Sequence, residues 1–274
     1  MTSSNNGNDN GNDNGNGNRP KGTATRLLDE AHRAGALSLA SKHALDVVDL
    51  GAQIQAGLGI AIDDVTASEV VLVTMMPDDS HSIAAAGNTA AVRDGHNLVL
   101  EALRRSRQAG DVFVHTRYLN GEILYPYVGL DGAIAMDAAN YDPRHGTPLY
   151  DQTIVLLGTV IAKSAELAQA GVPVRTVTLL ITDGGDYGST RATAREVRAL
   201  VADMVAQENH VVAAMGISDG TTDFRKVFRD MGISDRWILT PGNTSSEIRK
   251  AFQIFSQSAA AVSGGTAWAG GFGN

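Results

Sequence analysis

The chain has 274 residues, 43% of them hydrophobic, and carries a formal net charge of −8 with an isoelectric point near 5.3. That is enough apolar material for one sizeable α/β core with appendages, and the acidic balance, uncompensated by any block of Lys or Arg, argues against broad attraction to nucleic acid or anionic lipid. The absence of cysteine excludes a disulfide framework, a thiolate metal site and a cysteine nucleophile.

The chain begins "MTSSNNGNDNGNDNGNGNRPKG", with neither a basic start nor an apolar stretch of the secretory kind, and no later apolar run approaches the ~18 residues of a membrane span. A soluble, cytoplasmic protein is expected. Residues 1–22 are almost wholly Asn, Gly, Asp and Ser, have nothing to bury against the entropy of ordering, and read as a disordered tail. Residues 23–66 form a helical N-terminal extension: Leu27, Leu28 and Ala31 share one face, and Leu45, Val48, Leu50 and Ile54 mark a second segment. This extension is expected to pack on the main domain, which spans 67–260.

Within that domain, Val70–Met76 is a continuous apolar run rich in β-branched residues, as in a strand buried on both faces. A helix over 92–106 follows, with Val92, Val99 and Leu103 on one side. In "DVFVHTRYLNGEILYPYVGL", Asn120-Gly121 separates two strand-like runs and predicts a tight antiparallel hairpin. Thr147-Pro148 then opens a long helix, with Thr147 as N-cap, Pro148 at the first helical position, and Gly171 as the stop.

Three strand-then-helix units come next. "TVTLLITD" precedes a helix with Val197, Leu200, Val201, Met204 and Val205; "VVAAMGIS" precedes Phe224, Val227, Phe228 and Met231; "WILT" precedes Ile248, Ala251, Phe252 and Phe255. Thr244 and Glu247 make a capping box before the last helix. Residues 261–274 read as a flexible Gly-rich tail, "SGGTAWAGGFGN" from Ser263, whose isolated Trp268 and Phe272 are candidates for docking on a partner.

Helical connections of this length demand right-handed crossovers. The expected fold is α/β and doubly wound: a mostly parallel six-stranded sheet with one antiparallel edge strand and helices on both faces. In such sheets ligands gather beyond the carboxyl ends of the strands, where strand order reverses. Three polar clusters fall there: Asp78-x-Ser80-x-Ser82 after the first strand, Thr147 at the head of the long helix, and Thr182-Asp183-Gly184. All offer oxygen donors, which suits Mg2+ or Mn2+ better than zinc or copper.

The motifs "DDSHS", "GTPLYD" and "LLITDGG" resemble, in order and separation, those of the von Willebrand factor A domain with its metal-ion-dependent adhesion site. The resemblance covers residues 67–260. It implies that Ser80, Ser82 and Thr147 offer hydroxyl oxygens to a divalent cation, and that Asp78 and Asp183 act mainly through bridging waters. Asp79 and His81 are the intervening residues of the loop, and Ile83 stands where the family often has Met. The resemblance further implies a non-enzymatic protein-binding module whose bound Mg2+ or Mn2+ captures an Asp or Glu of a protein partner. Intracellular bacterial members of the family often act as scaffolds with AAA+ ATPases, kinases or phosphatases.

Each residue also has a plain structural reading: Asp and Ser after a strand are ordinary turn and N-cap residues, and His81 reads as a solvated loop residue. The alternative function is a magnesium-dependent hydrolase or phosphoryl-processing enzyme using the same cation, for which no general base is evident beyond His145 in "PRHGTP". "GISDG" at 216–220 matches a nucleophile elbow around Ser218, but no His follows it in the chain, as that reading requires. Phosphate-cradling, dinucleotide and H-E-x-x-H motifs are absent.

Overall fold

The computed structural model describes residues 22–46, 50–61, 65, 67, 69–263 and 271–272. The Asn/Gly-rich segment 1–21, Val48 and Trp268 lie outside them. In chain order the elements are α1 (Thr23–Arg33), α2 (Leu39–Leu45), α3 (Leu50–Gly57), β1 (Val70–Pro77), α4 (His81–Ala85), α5 (Thr89–Arg104), β2 (Val112–Arg117), β3 (Ile123–Gly129), α6 (Leu149–Gln169), β4 (Val174–Thr182), α7 (Ala194–Ala206), β5 (His210–Gly216), α8 (Phe224–Asp230), β6 (Ile238–Leu239) and α9 (Ser245–Ser263).

The strands form one six-stranded sheet in the order β3-β2-β1-β4-β5-β6. All pairings are parallel except β2 with β3, which places the single antiparallel strand at an edge. Every residue of β1, β2 and β5 is buried, as expected of strands covered on both faces. The helices lie against the sheet in two groups, α6 with α7 and α5 with α9. Strand order reverses at the β1–β4 pair, so the loops after Pro77 and Thr182 leave the sheet side by side.

The hairpin turns at Asn120-Gly121 through a three-residue loop. The Gly121 amide donates to Tyr118 O at 2.9 Å, the Tyr118 amide donates to Glu122 O at 2.8 Å, and only Gly121 takes positive φ (99°). A type I turn followed by a left-handed glycine fits this pattern, in place of the two-residue turn that Asn-Gly commonly forms.

The N-terminal helices are built into the same hydrophobic core as the sheet. Leu27 and Ile54 are fully buried in it, and α1, α2 and α3 all contact α6. The approach of α2 and α3 to α6 depends on Gly158: a Cβ there would lie 2.7 Å from both Ile54 Cδ1 and Leu45 Cδ2. On the other group of helices, a Cβ on Gly95 of α5 would lie 2.1 Å from the Phe252 ring of α9.

Several expectations need correction. The second N-terminal segment is two helices, α2 and α3, with α2 ending at Leu45 and capped by Asp46. The helix expected over 92–106 is α5, starting at Thr89, and the short α4 before it was not foreseen. Thr147 is not the N-cap of α6: Pro148 holds that position, and the Thr147 side chain makes no capping bond. Pro148 lacks an amide hydrogen, and the chain before it is drawn into backbone pairing with Tyr187. Val205 is 50% exposed, because α7 turns only Val197, Leu200, Val201 and Met204 inward. Phe272 packs its ring against Trp237 (5.4 Å) and Phe255 (6.4 Å) of its own domain, with its amide donating to Arg236 O at 3.0 Å.

Candidate metal centre

β1 delivers Asp78 to the carboxyl edge of the sheet, where it is fully buried. Its Oδ1 accepts the Ser80 amide at 2.7 Å, folding the loop back on itself, and its Oδ2 accepts the Thr182 hydroxyl at 2.7 Å, tying the ends of β1 and β4 together. The Tyr141 hydroxyl donates to the Asp78 carbonyl at 2.5 Å and so holds the backbone there. α4 begins just after Ser80 and turns Ser82 toward β4. Ser80 Oγ and Ser82 Oγ lie 2.8 Å apart, and Ser82 Oγ donates to Asp183 Oδ1 at 2.6 Å.

Asp78, Ser80, Ser82 and Asp183, up to 105 positions apart in sequence, therefore form one hydrogen-bonded cluster with Thr182. Thr147 reaches it by another route. The loop before α6 runs along Asp79 and Ser80, with the Arg144 and His145 amides donating to Asp79 O and the His81 amide donating to His145 O. Thr147, two residues on, exchanges backbone hydrogen bonds with Tyr187 at 3.1 and 2.8 Å. Among the described residues no hydrogen bond joins the Thr147 hydroxyl to the other four, so it is carried beside the cluster with its oxygen uncommitted.

Burial raises the pKa of Asp78, against the opposing hydrogen bonds from Ser80 and Thr182. Burial likewise pushes Asp183 up to about 6, with the Ser82 hydrogen bond opposing and the negative charge of Asp78 adding to the rise. Asp79, also buried, is pushed up to about 6 mainly by desolvation. The groups acting most strongly on the two carboxyls are hydroxyls, backbone amides and other carboxylates. Two neighbouring buried carboxylates are costly to keep ionised unless a positive charge compensates them.

This donor set fits a hard divalent cation. No group of three His, Cys, Asp or Glu side chains is set to hold a metal among the described residues; the cluster instead mixes two carboxylates with the hydroxyls of Ser80, Ser82 and Thr147. An all-oxygen set of this kind suits Mg2+ or Mn2+. Ser218, by contrast, is a turn residue: its hydroxyl accepts the Gly220 amide at 3.2 Å and its amide donates to Pro241 O at 3.0 Å.

Sequence reading left out Tyr141 as a site residue, and Thr182 appeared only as a neighbour of Asp183. Thr182 carries a local signal, since it ends the strand directly before the acidic residue. Tyr141 carries none, because only folding brings it to Asp78, 63 positions away.

No protein-family model matches the sequence, and no curated protein matches it. Solved structures do share its fold. The pilus adhesin SpaC from Lactobacillus rhamnosus GG is 16% identical over 72% of this chain and 31% of the adhesin, with a TM-score of 0.51. Proximal thread matrix protein 1 from the mussel byssus is 15% identical over 72% of this chain and 48% of its own, with a TM-score of 0.50; another structure of that protein has a zinc-occupied MIDAS motif. The VWA domain of SpRpn10 is 8% identical over 68% of this chain and 95% of its own, with a TM-score of 0.47. The chain thus spans about half the length of the mussel protein and under a third of the adhesin. One of these neighbours is a von Willebrand factor A domain, and at these identities the likeness to the adhesin and the mussel protein is one of fold.

Proposed function

We propose that this chain is a divalent-cation-dependent protein-binding module, a non-enzymatic cytoplasmic scaffold of the bacterial intracellular type, whose site is formed by Asp78, Ser80, Ser82, Thr147 and Asp183. The observation that carries the reading is the hydrogen-bonded cluster of Ser80, Ser82 and Asp183 beside the buried Asp78 carboxylate. The fold, shared with a pilus adhesin, is consistent with a binding role.

Ser80, Ser82 and Thr147 would hold Mg2+ or Mn2+ through neutral hydroxyl oxygens. Asp78 and Asp183 stand one hydrogen bond behind, holding the Ser80–Ser82 loop in place through the Ser80 amide, Thr182 and the Ser82 hydroxyl. Bound there, the ion supplies a positive centre whose field is only partly neutralised, to which a carboxylate oxygen from a partner binds as a charge-assisted ligand. Tyr187, 81% exposed and paired through its backbone with Thr147, places an aromatic ring at the rim, a residue type enriched where partners anchor. The partner presents Asp or Glu; an AAA+ ATPase, kinase or phosphatase system is the class proposed.

The test is recovery of protein partners from native extract on the immobilised chain, in magnesium and then in chelator. Recovery should depend on magnesium and be lost in Asp78→Ala, while the purified chain shows no turnover. Equal recovery in chelator sinks the cation-dependent reading, and multiple turnovers of a phosphate ester with magnesium would favour the hydrolase alternative.

A further inference from the structure

A cavity of about 590 Å3 opens beside the cluster, between the hairpin and the loop that leads to α6. This lies within the ~300–1,000 Å3 range of small-ligand sites. Its walls include Tyr118, Ile123, Leu124 and Ile134, and its acidic groups are Asp79, Glu122 and Asp142. Asp79 is 2% exposed. Its Oδ1 accepts the Asn120 amide at 2.9 Å, whereas its Oδ2 accepts no hydrogen bond from any described residue, and the His145 ring approaches it only to 3.9 Å at Nε2.

The remaining charges do not compensate. Arg144 is already paired with Asp142 at 2.8 Å, so three carboxylates (Asp79, Glu122, Asp142) face one guanidinium across this cavity. Tyr118 is held in place by donating its hydroxyl to Asn140 O at 2.7 Å. Ile134, 51% exposed, is an apolar side chain at the mouth with little to cover it.

We propose that this cavity receives an arginine side chain of the protein partner. A guanidinium satisfies the open oxygen of Asp79 and the charge of Glu122 with directed N–H donors, stacks on an aromatic ring such as Tyr118, and is more weakly hydrated than an ammonium. Its aliphatic stem suits Ile123, Leu124 and Ile134. The inference extends the cation-site reading by giving the partner a basic residue near its acidic one, but its test contains no metal, so the two can fail separately.

The probe is N-acetyl-arginine N-methylamide, titrated in chelator against the full chain with labelled isoleucine, leucine and valine methyls. The expected result is shifts centred on Ile123, Leu124 and Ile134 with a Kd of about 1–10 mM. The neutral isostere N-acetyl-citrulline N-methylamide should leave these methyls unmoved. Glu122→Gln, an exposed substitution whose side chain makes no hydrogen bond with a described residue, should weaken arginine binding about two- to fivefold. Equal response to citrulline, shifts confined to other methyls or absent altogether, or an unchanged Kd in Glu122→Gln would overturn the proposal. So would tight binding of agmatine with the capped arginine excluded, which would assign the cavity to a small free guanidine.

Discussion

His210 shows what burial does to a single titratable side chain. It is 5% exposed, bonded through Nδ1 to Thr176 Oγ1 at 2.7 Å, and desolvation pushes its pKa down to about 4 from 6.5. Between those values the unfolded chain takes up a proton that the folded chain refuses. The stability contributed by the neutral imidazole is thus fully present above about pH 6.5 and is lost as pH falls toward about 4. By pH 5 the loss reaches about 2 kcal/mol. Denaturant unfolding of the wild type and His210→Asn at pH 7 and pH 5 should show the gap between them change by up to that amount, toward the variant at pH 5; a pH-independent gap would contradict the assignment. At this scale Asp78, Ser80, Ser82 and Asp183 are legible as polar residues directly after apolar runs, and Thr147 as the polar residue at the head of the long helix. What no local pattern encodes is the backbone pairing of Thr147 with Tyr187, which takes the place of the capping role expected of it.

Among the elements, the crossing of α2 and α3 with α6 is held close by one missing side chain. Gly158→Val would drive new methyls into Ile54 and Leu45, where even a Cβ comes to 2.7 Å. Overpacking of this kind costs about 1–3 kcal/mol. The melting temperature should drop, and Ile54→Ala in the same chain should recover part of the loss, a coupling that separates a steric clash from a general helix defect. If the double variant is less stable than the sum of the single effects, the contact is not the cause. The long, strongly periodic elements were readable because their spacing reports which face is buried, as in α7 through Val197, Leu200, Val201 and Met204. The five-residue α4 was missed because it is too short to show a period, and the pattern carried across 45–54 was read as one helix where there are two.

For the whole molecule, the packing of α1, α2 and α3 on α6 makes the first part of the chain part of the core. Leu27 and Ile54 are fully buried with the sheet residues. A chain of residues 59–274 would expose the apolar face of α6 and is expected to melt at a lower temperature or to self-associate. Calorimetry of the full chain should show one cooperative transition. A shortened chain that melts unchanged as a monomer would show that the N-terminal helices are an independent appendage.

Sequence alone determined the order of the strands and of the long helices between them, the antiparallel turn at Asn120-Gly121 and the polar loops after β1 and β4, because each of these depends on residues a few positions apart. Tertiary structure alone decided that Ser82 meets Asp183, that Tyr141 clamps Asp78, that Phe272 folds back onto Trp237, and that an acidic cavity opens beside Asp79. These contacts join residues from 35 to 101 positions apart. They follow from strand pairing and loop packing across the sheet, where the energy of a contact depends on which distant segment the fold brings against it.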